Sequence, residues 1–290
     1  MRVDLLAGTV YSPLVVPDPV PTILVFDSGL GGLTVFAEVA KARPDARFVY
    51  AADDAAFPYG RLSEDAIVAR VIAVMERLIA AHAPDLVVVA CNTASTIVLP
   101  HLRARFPIPF VGTVPAIKPA ALASLSKRIT VLATPGTVAR DYTRDLVETY
   151  AAGCRVALVG SRRFAAFAEA ELSGTPVSDA EIAEELRPCF IEDGEGRTDV
   201  VALACTHYPL LLPRLRALAP WPVTWIDPAP AIARRVVQLI GGPAAGVEAD
   251  EEGALAVFTG GSGLTAALRD ALGARGLAEI AVEPLPLIQG

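Results

Sequence analysis

The sequence predicts an α/β fold in which mainly parallel sheets are flanked by helices, arranged as two related lobes. Two observations predict it. From Thr22 onward, short apolar runs rich in β-branched residues alternate with longer helical stretches. That is the pattern of parallel strands buried on both faces and joined by crossover helices. In addition, one order of strand endings occurs twice along the chain. The 290 residues, 53% hydrophobic and 20% charged, are enough for two globular domains with their own cores.

Residues 1–20 read as a Pro-rich leader outside the first core. Pro13, Pro17 and Pro19 interrupt it and Asp4 follows Arg2 closely, which makes a poor signal peptide. Strands are expected at 22–26, 47–51, 86–90, 109–112, 129–133, 155–159, 199–204 and 223–226, each a continuous apolar run. Helices are expected at 63–82, 137–150 and 179–190. In the first, Ile67, Val71, Val74 and Leu78 recur at helical spacing behind Ser63, a residue type that caps helix starts. A further strand at 255–261 implies that the tail returns to the first lobe. The lobes are then 21–114 with 227–290, and 115–226.

The run at 22–26 ends in the polar turn Asp27-Ser28-Gly29-Leu30-Gly31-Gly32, and the run at 129–133 ends in Thr134-Pro135-Gly136-Thr137. The run at 86–90 leads into Cys91-Asn92-Thr93, and that at 199–204 into Cys205-Thr206-His207. Asp27 to Cys91 spans 64 positions and Thr134 to Cys205 spans 71. Each lobe therefore presents one cysteine at the carboxyl end of a strand, where open α/β sheets bind ligands.

A net charge of −7 and a pI near 5.1 lack the basic face that nucleic acid or an anionic membrane requires. No run approaches a membrane span. Cys91, Cys154, Cys189 and Cys205 form no CxxC pair and are too scattered for a disulfide framework. Free thiols in a reducing cytoplasm are expected. A thiol at a helix N-terminus is acidified by backbone N–H groups, and the same amides hold a carboxylate. Cys91, ahead of a helical stretch at 95–105 that contains Pro100, fits that description; its alternative is a small buried hydrophobe. His207, two residues from Cys205, is placed to tune that thiol or to protonate a leaving group.

Other chemistries fit less well. A Cys-x-His metal site finds no further ligand, because His82 and His101 sit on amphipathic helical stretches. The Gly29–Gly32 turn, with Asp53 and Asp54 downstream, resembles a dinucleotide fingerprint. Its third glycine position is Thr34, however, and Asp27 repels phosphates. None of Lys41, Lys118 and Lys127 sits at a Gly-rich strand tip where a pyridoxal Schiff base would form. The segment 53–60 is a loop by its Pro and Gly content.

Taken in order, Asp27-Ser28-Gly29-Leu30-Gly31-Gly32, Pro58-Tyr59-Gly60, Cys91-Asn92-Thr93-Ala94-Ser95 and Cys205-Thr206-His207-Tyr208-Pro209 resemble the motifs of bacterial glutamate racemases. The likeness runs from about residue 23 to 240 and belongs to the wider aspartate/glutamate racemase superfamily. It implies two pseudosymmetric lobes with the active site between them, no cofactor, glutamate as the small-molecule substrate, and a supply of D-glutamate for peptidoglycan synthesis. It implies Cys91 and Cys205 as the catalytic thiols, with Asp27 assisting Cys91 and His207 assisting Cys205. The substrate is then lined by Asp27, Ser28, Tyr59, Gly60, Asn92, Thr93, Thr206 and His207.

The chain departs from the family in a longer leader, in Ala204 for a common glycine, and in Gly160-Ser161 where a glutamate usually follows the apolar run. Three alternatives stay open: a racemase of aspartate or a related acid, a cysteine hydrolase using Cys205 and His207, and a nucleotide-binding module on the Gly-rich turn. The residues leave open a homodimer and do not select its face.

Overall fold

The computed structural model describes residues 20–243 and 253–285, so the leader up to residue 19 lies outside the described residues. The first part of the chain carries β1 (Thr22–Asp27), α1 (Leu33–Ala42), β2 (Arg47–Ala52), α2 (Glu64–His82), β3 (Leu86–Val89), α3 (Asn92–Arg105) and β4 (Phe110–Gly112). The middle carries α4 (Ile117–Ala123), β5 (Arg128–Ala133), α5 (Pro135–Ala139), α6 (Asp141–Tyr150), β6 (Arg155–Gly160), α7 (Phe164–Leu172) and α8 (Asp179–Leu186). There follow β7 (Glu192–Asp193), β8 (Gly196–Arg197), β9 (Val200–Ala204), α9 (Leu212–Leu218), β10 (Thr224–Ile226) and α10 (Ala229–Ile240). The tail adds β11 (Leu255–Phe258), α11 (Ala266–Gly273) and β12 (Glu279–Val282).

Six strands form one sheet in the order β12-β11-β2-β1-β3-β4, and four form a second in the order β10-β9-β5-β6. Every pairing in both sheets is parallel. β7 and β8 make a small antiparallel ribbon. The block β2-β1-β3-β4 of the first sheet recurs as β6-β5-β9-β10 in the second. The strand endings that repeat in the sequence therefore occupy equivalent places: Asp27 and Thr134 at the ends of β1 and β5, Cys91 and Cys205 just beyond β3 and β9. β1 lies between β2 and β3, and β5 between β6 and β9, so each sheet has a switch point with a crevice at its carboxyl edge.

Burial on both faces explains why the strands read as unbroken apolar runs. Ile23 and Val25 pack on one side of β1 with Val35, Phe36 and Val39 of α1. Leu24 and Phe26 pack on the other with Val71 and Met75 of α2 and Val98 of α3. In the second sheet, Leu132 and Leu203 join Phe164, Ile182 and Leu186, while Val131 and Ala202 join Ile117 and Ala120.

Local chemistry sets the element ends. Ser63 caps α2, its hydroxyl accepting from the Ala66 amide at 3.3 Å. The single helix expected at 137–150 is broken into α5 and α6 at Arg140, which is extended at φ −79°, ψ 142°. The Thr143 hydroxyl donates to the Thr137 carbonyl at 2.6 Å, taking the acceptor that a continuous helix would have used. The helix expected at 179–190 stops at Leu186 and tightens into a 3-10 turn at Arg187–Cys189, because Pro188 has no amide to donate. α3 begins at Asn92 rather than at 95, which makes Cys91 its N-cap residue. The strand expected at 255–261 ends at Phe258, where Asp54 captures the Gly260 and Gly261 amides at 2.7 Å each. Among the described residues no helix is long and apolar enough to cross a membrane.

Candidate active site

The carboxyl ends of β1, β3, β5 and β9 border one cavity, and both Cys91 and Cys205 line it. Ser28, Asn92, Thr93, Thr134, Thr206 and His207 give it a polar wall, and Phe57 to Gly60 close one side.

Asp27 is wholly buried behind that wall. Its Oδ1 accepts from the Ser28 amide at 2.6 Å and the Ser28 hydroxyl at 3.2 Å. Its Oδ2 accepts from the Gly32 amide and, at 3.2 Å, from the Thr206 hydroxyl. Burial raises its pKa, against the lowering effect of the His207 charge and of the Ser28 and Gly32 amides. The Ser28 hydroxyl continues to the Cys91 sulfur, 3.6 Å away. Asp27 thus reaches Cys91 through Ser28 and reaches the Cys205 turn directly through Thr206.

Burial pushes the Cys91 thiol well above the ordinary thiol range, and the Asp27 charge adds to it. The Ala94 amide and the Ser28 hydroxyl pull the other way. The acidifying effect expected of a helix N-terminus is therefore present but outweighed by desolvation.

The Cys205 sulfur lies 3.9 Å from His207 Nδ1. His207 Nε2 lies 2.8 Å from Glu169 Oε1, and the Gly31 amide points at the same nitrogen from 3.2 Å. Burial opposes a charge on this ring. Hydrogen bonds to Cys205 and Glu169, with the charges of Cys205 and Asp27, outweigh it and hold the pKa well above the usual histidine value. In the imidazolium form, Nε2–H donates to Glu169 and Nδ1–H faces the sulfur. Glu169 also accepts from the Leu30 amide at 2.6 Å, and the Phe57 ring centre lies 5.4 Å from that of the imidazole.

The Gly-rich turn serves this packing. A Cβ on Gly31 would collide with the His207 imidazole, and one on Gly29 with Glu169 and Phe57. The Tyr50 hydroxyl donates to the Gly29 carbonyl at 2.7 Å and fixes the turn from below.

Asn92 is buried, and among the described residues neither its side-chain oxygen nor its nitrogen has a hydrogen-bond partner. An unpaired buried amide costs about 1–3 kcal/mol, so this one points to a ligand that completes it. The Thr93 hydroxyl lies 3.4 Å from that of Thr134. Tyr59 and Gly60 open a 3-10 turn, Tyr59–Arg61. The Tyr59 hydroxyl is turned to Asp53 Oδ2 at 2.6 Å, where Arg70 and Thr259 also donate to the same carboxylate. A Cβ on Gly60 would meet nothing within 4 Å. The first amides of such a turn, those of Tyr59 and Gly60, have no partner inside it.

The residues singled out in the sequence thus gather at or just behind one cavity. Thr134, Phe57 and Glu169 lie outside that set. Thr134 has a signal in the repeat, where it is the counterpart of the Asp27 turn. Glu169 has none: it comes from the middle of α7, while Gly160-Ser161 occupies the place where the resemblance puts a glutamate. Cys189 is fully buried elsewhere, its thiol pushed up to about 12 by burial, and Cys154 is half-buried. Among the described residues no group of three or more His, Cys, Asp or Glu side chains is arranged to hold a metal ion.

Residues 30–236 match the family described as Asp/Glu/Hydantoin racemase. The chain is 53% identical over 250 residues to a glutamate racemase of Brucella anthropi, across 86% of this chain and 90% of the relative. It is 54% identical over 242 residues to a glutamate racemase of Brucella ovis, across 83% and 87%. The fold is similar to that of Escherichia coli glutamate racemase in complex with L-glutamate and the activator UDP-MurNAc-ala. The TM-score is 0.83 at 39% identity, over 92% of this chain and 99% of that one.

Proposed function

Because the chain belongs to the Asp/Glu/hydantoin racemase family, we propose that it interconverts L- and D-glutamate by proton transfer between two thiols, Cys91 and Cys205. It is an isomerase. The observation that supports the two-thiol mechanism is that these cysteines, one from each sheet, line one cavity. With the substrate α-carbon between them, one sulfur takes the α-proton while the other delivers a proton to the opposite face. The composition is unchanged and the configuration inverts.

The α-proton is weakly acidic, and a turnover of roughly 1–100 per second needs a barrier of about 15–17 kcal/mol. The site must stabilise negative charge at the α-carbon and exclude water. The unpartnered Asn92 amide and the hydroxyls of Ser28, Thr93 and Thr206 hold the α-carboxylate and ammonium. The Tyr59 and Gly60 amides hold the distal carboxylate. Asp27 orients Ser28 and Thr206, and His207, itself held by Glu169, donates to Cys205 when that sulfur carries charge. Free thiols at the centre of the mechanism support a reaction in the reducing cytoplasm, and the D-glutamate it makes would serve peptidoglycan synthesis.

The test is incubation of each glutamate enantiomer in D2O with wild type, Cys91→Ser and Cys205→Ser. Wild type racemises and deuterates the α-position; each variant loses at least about 100-fold. Cells that need added D-glutamate grow without it on wild type and fail on Cys91→Ser. The Cys205–His207–Glu169 chain also has the form of a hydrolase nucleophile, base and orienting acid. In that case Cys91 is dispensable, so unchanged racemisation by Cys91→Ser would sink the two-thiol mechanism.

A further inference from the structure

The two thiols are unequally served. Cys205 has the His207 ring 3.9 Å away, whereas Cys91 has the Asp27 carboxylate behind Ser28. A reaction that uses each sulfur in turn as the base needs some positive charge on the Cys91 side as well. One cation approaches from the second sheet. Arg140, the extended residue between α5 and α6, sends Nη1 to the Thr93 carbonyl at 2.8 Å and to the Thr96 hydroxyl. Both acceptors lie near the start of α3, the helix that Cys91 caps.

We propose that Arg140 is a positioning residue whose fixed positive charge supports the ionised form of Cys91, as His207 does beside Cys205. The proposal rests on the two-thiol mechanism. The groups that act on Cys91 from the surrounding elements are Ser28 and Asp27 at the end of β1, the Ala94 amide of α3, the Tyr50 and Tyr59 phenols, Cys205 after β9, and Arg140. Burial pushes both phenols well up and keeps them neutral. His207 is already engaged by Cys205 and Glu169. Arg140 is the cation of this set that lies on the α3 side.

Its side chain is only 15% exposed, so water screens it weakly, and its Nε pairs at 3.3 Å with Glu64, which is 68% exposed. Burial lowers the guanidinium pKa, against the raising effect of Glu64 and of an ionised Cys91. That coupling is reciprocal: a thiolate that stabilises the cation is stabilised by it. An arginine lowered in this way still carries its charge at neutral pH.

Alkylation by iodoacetamide, with each cysteine peptide quantified by mass spectrometry, reads the two thiols separately on the full chain without substrate. Arg140→Lys keeps the charge, Arg140→Gln keeps a hydrogen-bond donor for Thr93 without charge, and Arg140→Met keeps neither. At a fixed pH below the Cys91 titration, Gln and Met slow Cys91 alkylation about threefold. Lys stays near wild type, and Cys205 is unchanged in all three. A Gln variant that alkylates Cys91 at the wild-type rate overturns the proposal. Equal changes at both thiols, as a loosened fold would give, overturn it too. Should Arg140→Met fail to fold, the contrast between Lys and Gln decides alone. Turnover by Cys91→Ser would remove the two-thiol mechanism and leave the alkylation result intact.

Discussion

At the scale of single residues, burial and local charge act in different senses on neighbouring groups. Desolvation dominates at Cys91 and Asp27 and raises both, whereas at His207 hydrogen bonds and nearby negative charge overcome it. His207 therefore couples protonation to folding. Its folded pKa is raised above the unfolded value of about 6.5, so its contribution to stability is fully present below that pH. It is lost as pH rises through the elevated folded pKa. The difference in melting temperature between wild type and His207→Gln should be greatest near pH 6 and shrink toward alkaline pH. Calorimetry across that range checks it, and a difference that stays constant with pH contradicts the assignment. Cys189 shows how much environment decides: the same side chain, away from the cavity, is pushed up by burial, with the Glu185 charge adding to it.

At the scale of elements, the cavity is held by ties between segments distant in sequence. Asp53, at the end of β2, accepts from Tyr59 at 2.6 Å, from Arg70 of α2 at 2.9 Å and from Thr259 beyond β11 at 2.6 Å. This carboxylate fixes the turn that carries Tyr59 and Gly60, two residues that line the cavity. Tyr59→Phe keeps the ring against Phe26 and removes one charge-assisted hydrogen bond. The expected cost is about 2 kcal/mol in unfolding free energy. KM for glutamate should rise several-fold while kcat changes about twofold or less, as for a loss of ground-state binding. Denaturant titration and steady-state kinetics read the two effects separately; a fall confined to kcat would contradict the tie to substrate binding. The same element scale explains the broken helix at Arg140. Periodicity from 137 to 150 reads as one helix, and the interruption appears only when the Thr143 hydroxyl and the contacts to Thr93 and Thr96 are in place.

At the scale of the whole molecule, two sheets that share a four-strand block bring one thiol each to a common cavity. A ligand that bridges both sheets stabilises the folded chain by mass action. Glutamate at ~100 times its Kd should add about 2.7 kcal/mol, and aspartate at the same concentration much less. Thermal denaturation with each amino acid tests this, and equal stabilisation by both would contradict the choice of glutamate. The fold class was legible in the sequence because parallel strands covered on both faces must be apolar at every position, a property each segment shows alone. The strand-end cysteines and the Gly-rich turn were legible for the same reason, since a turn's chemistry is local. The pairing of Glu169 with His207, the clamp of Asp53 on Thr259 and the approach of Arg140 to the Cys91 helix were not legible. Neither was the direction in which Cys91 titrates. Burial and electrostatic field are sums over neighbours contributed by remote segments, and those neighbours exist only once the chain has folded.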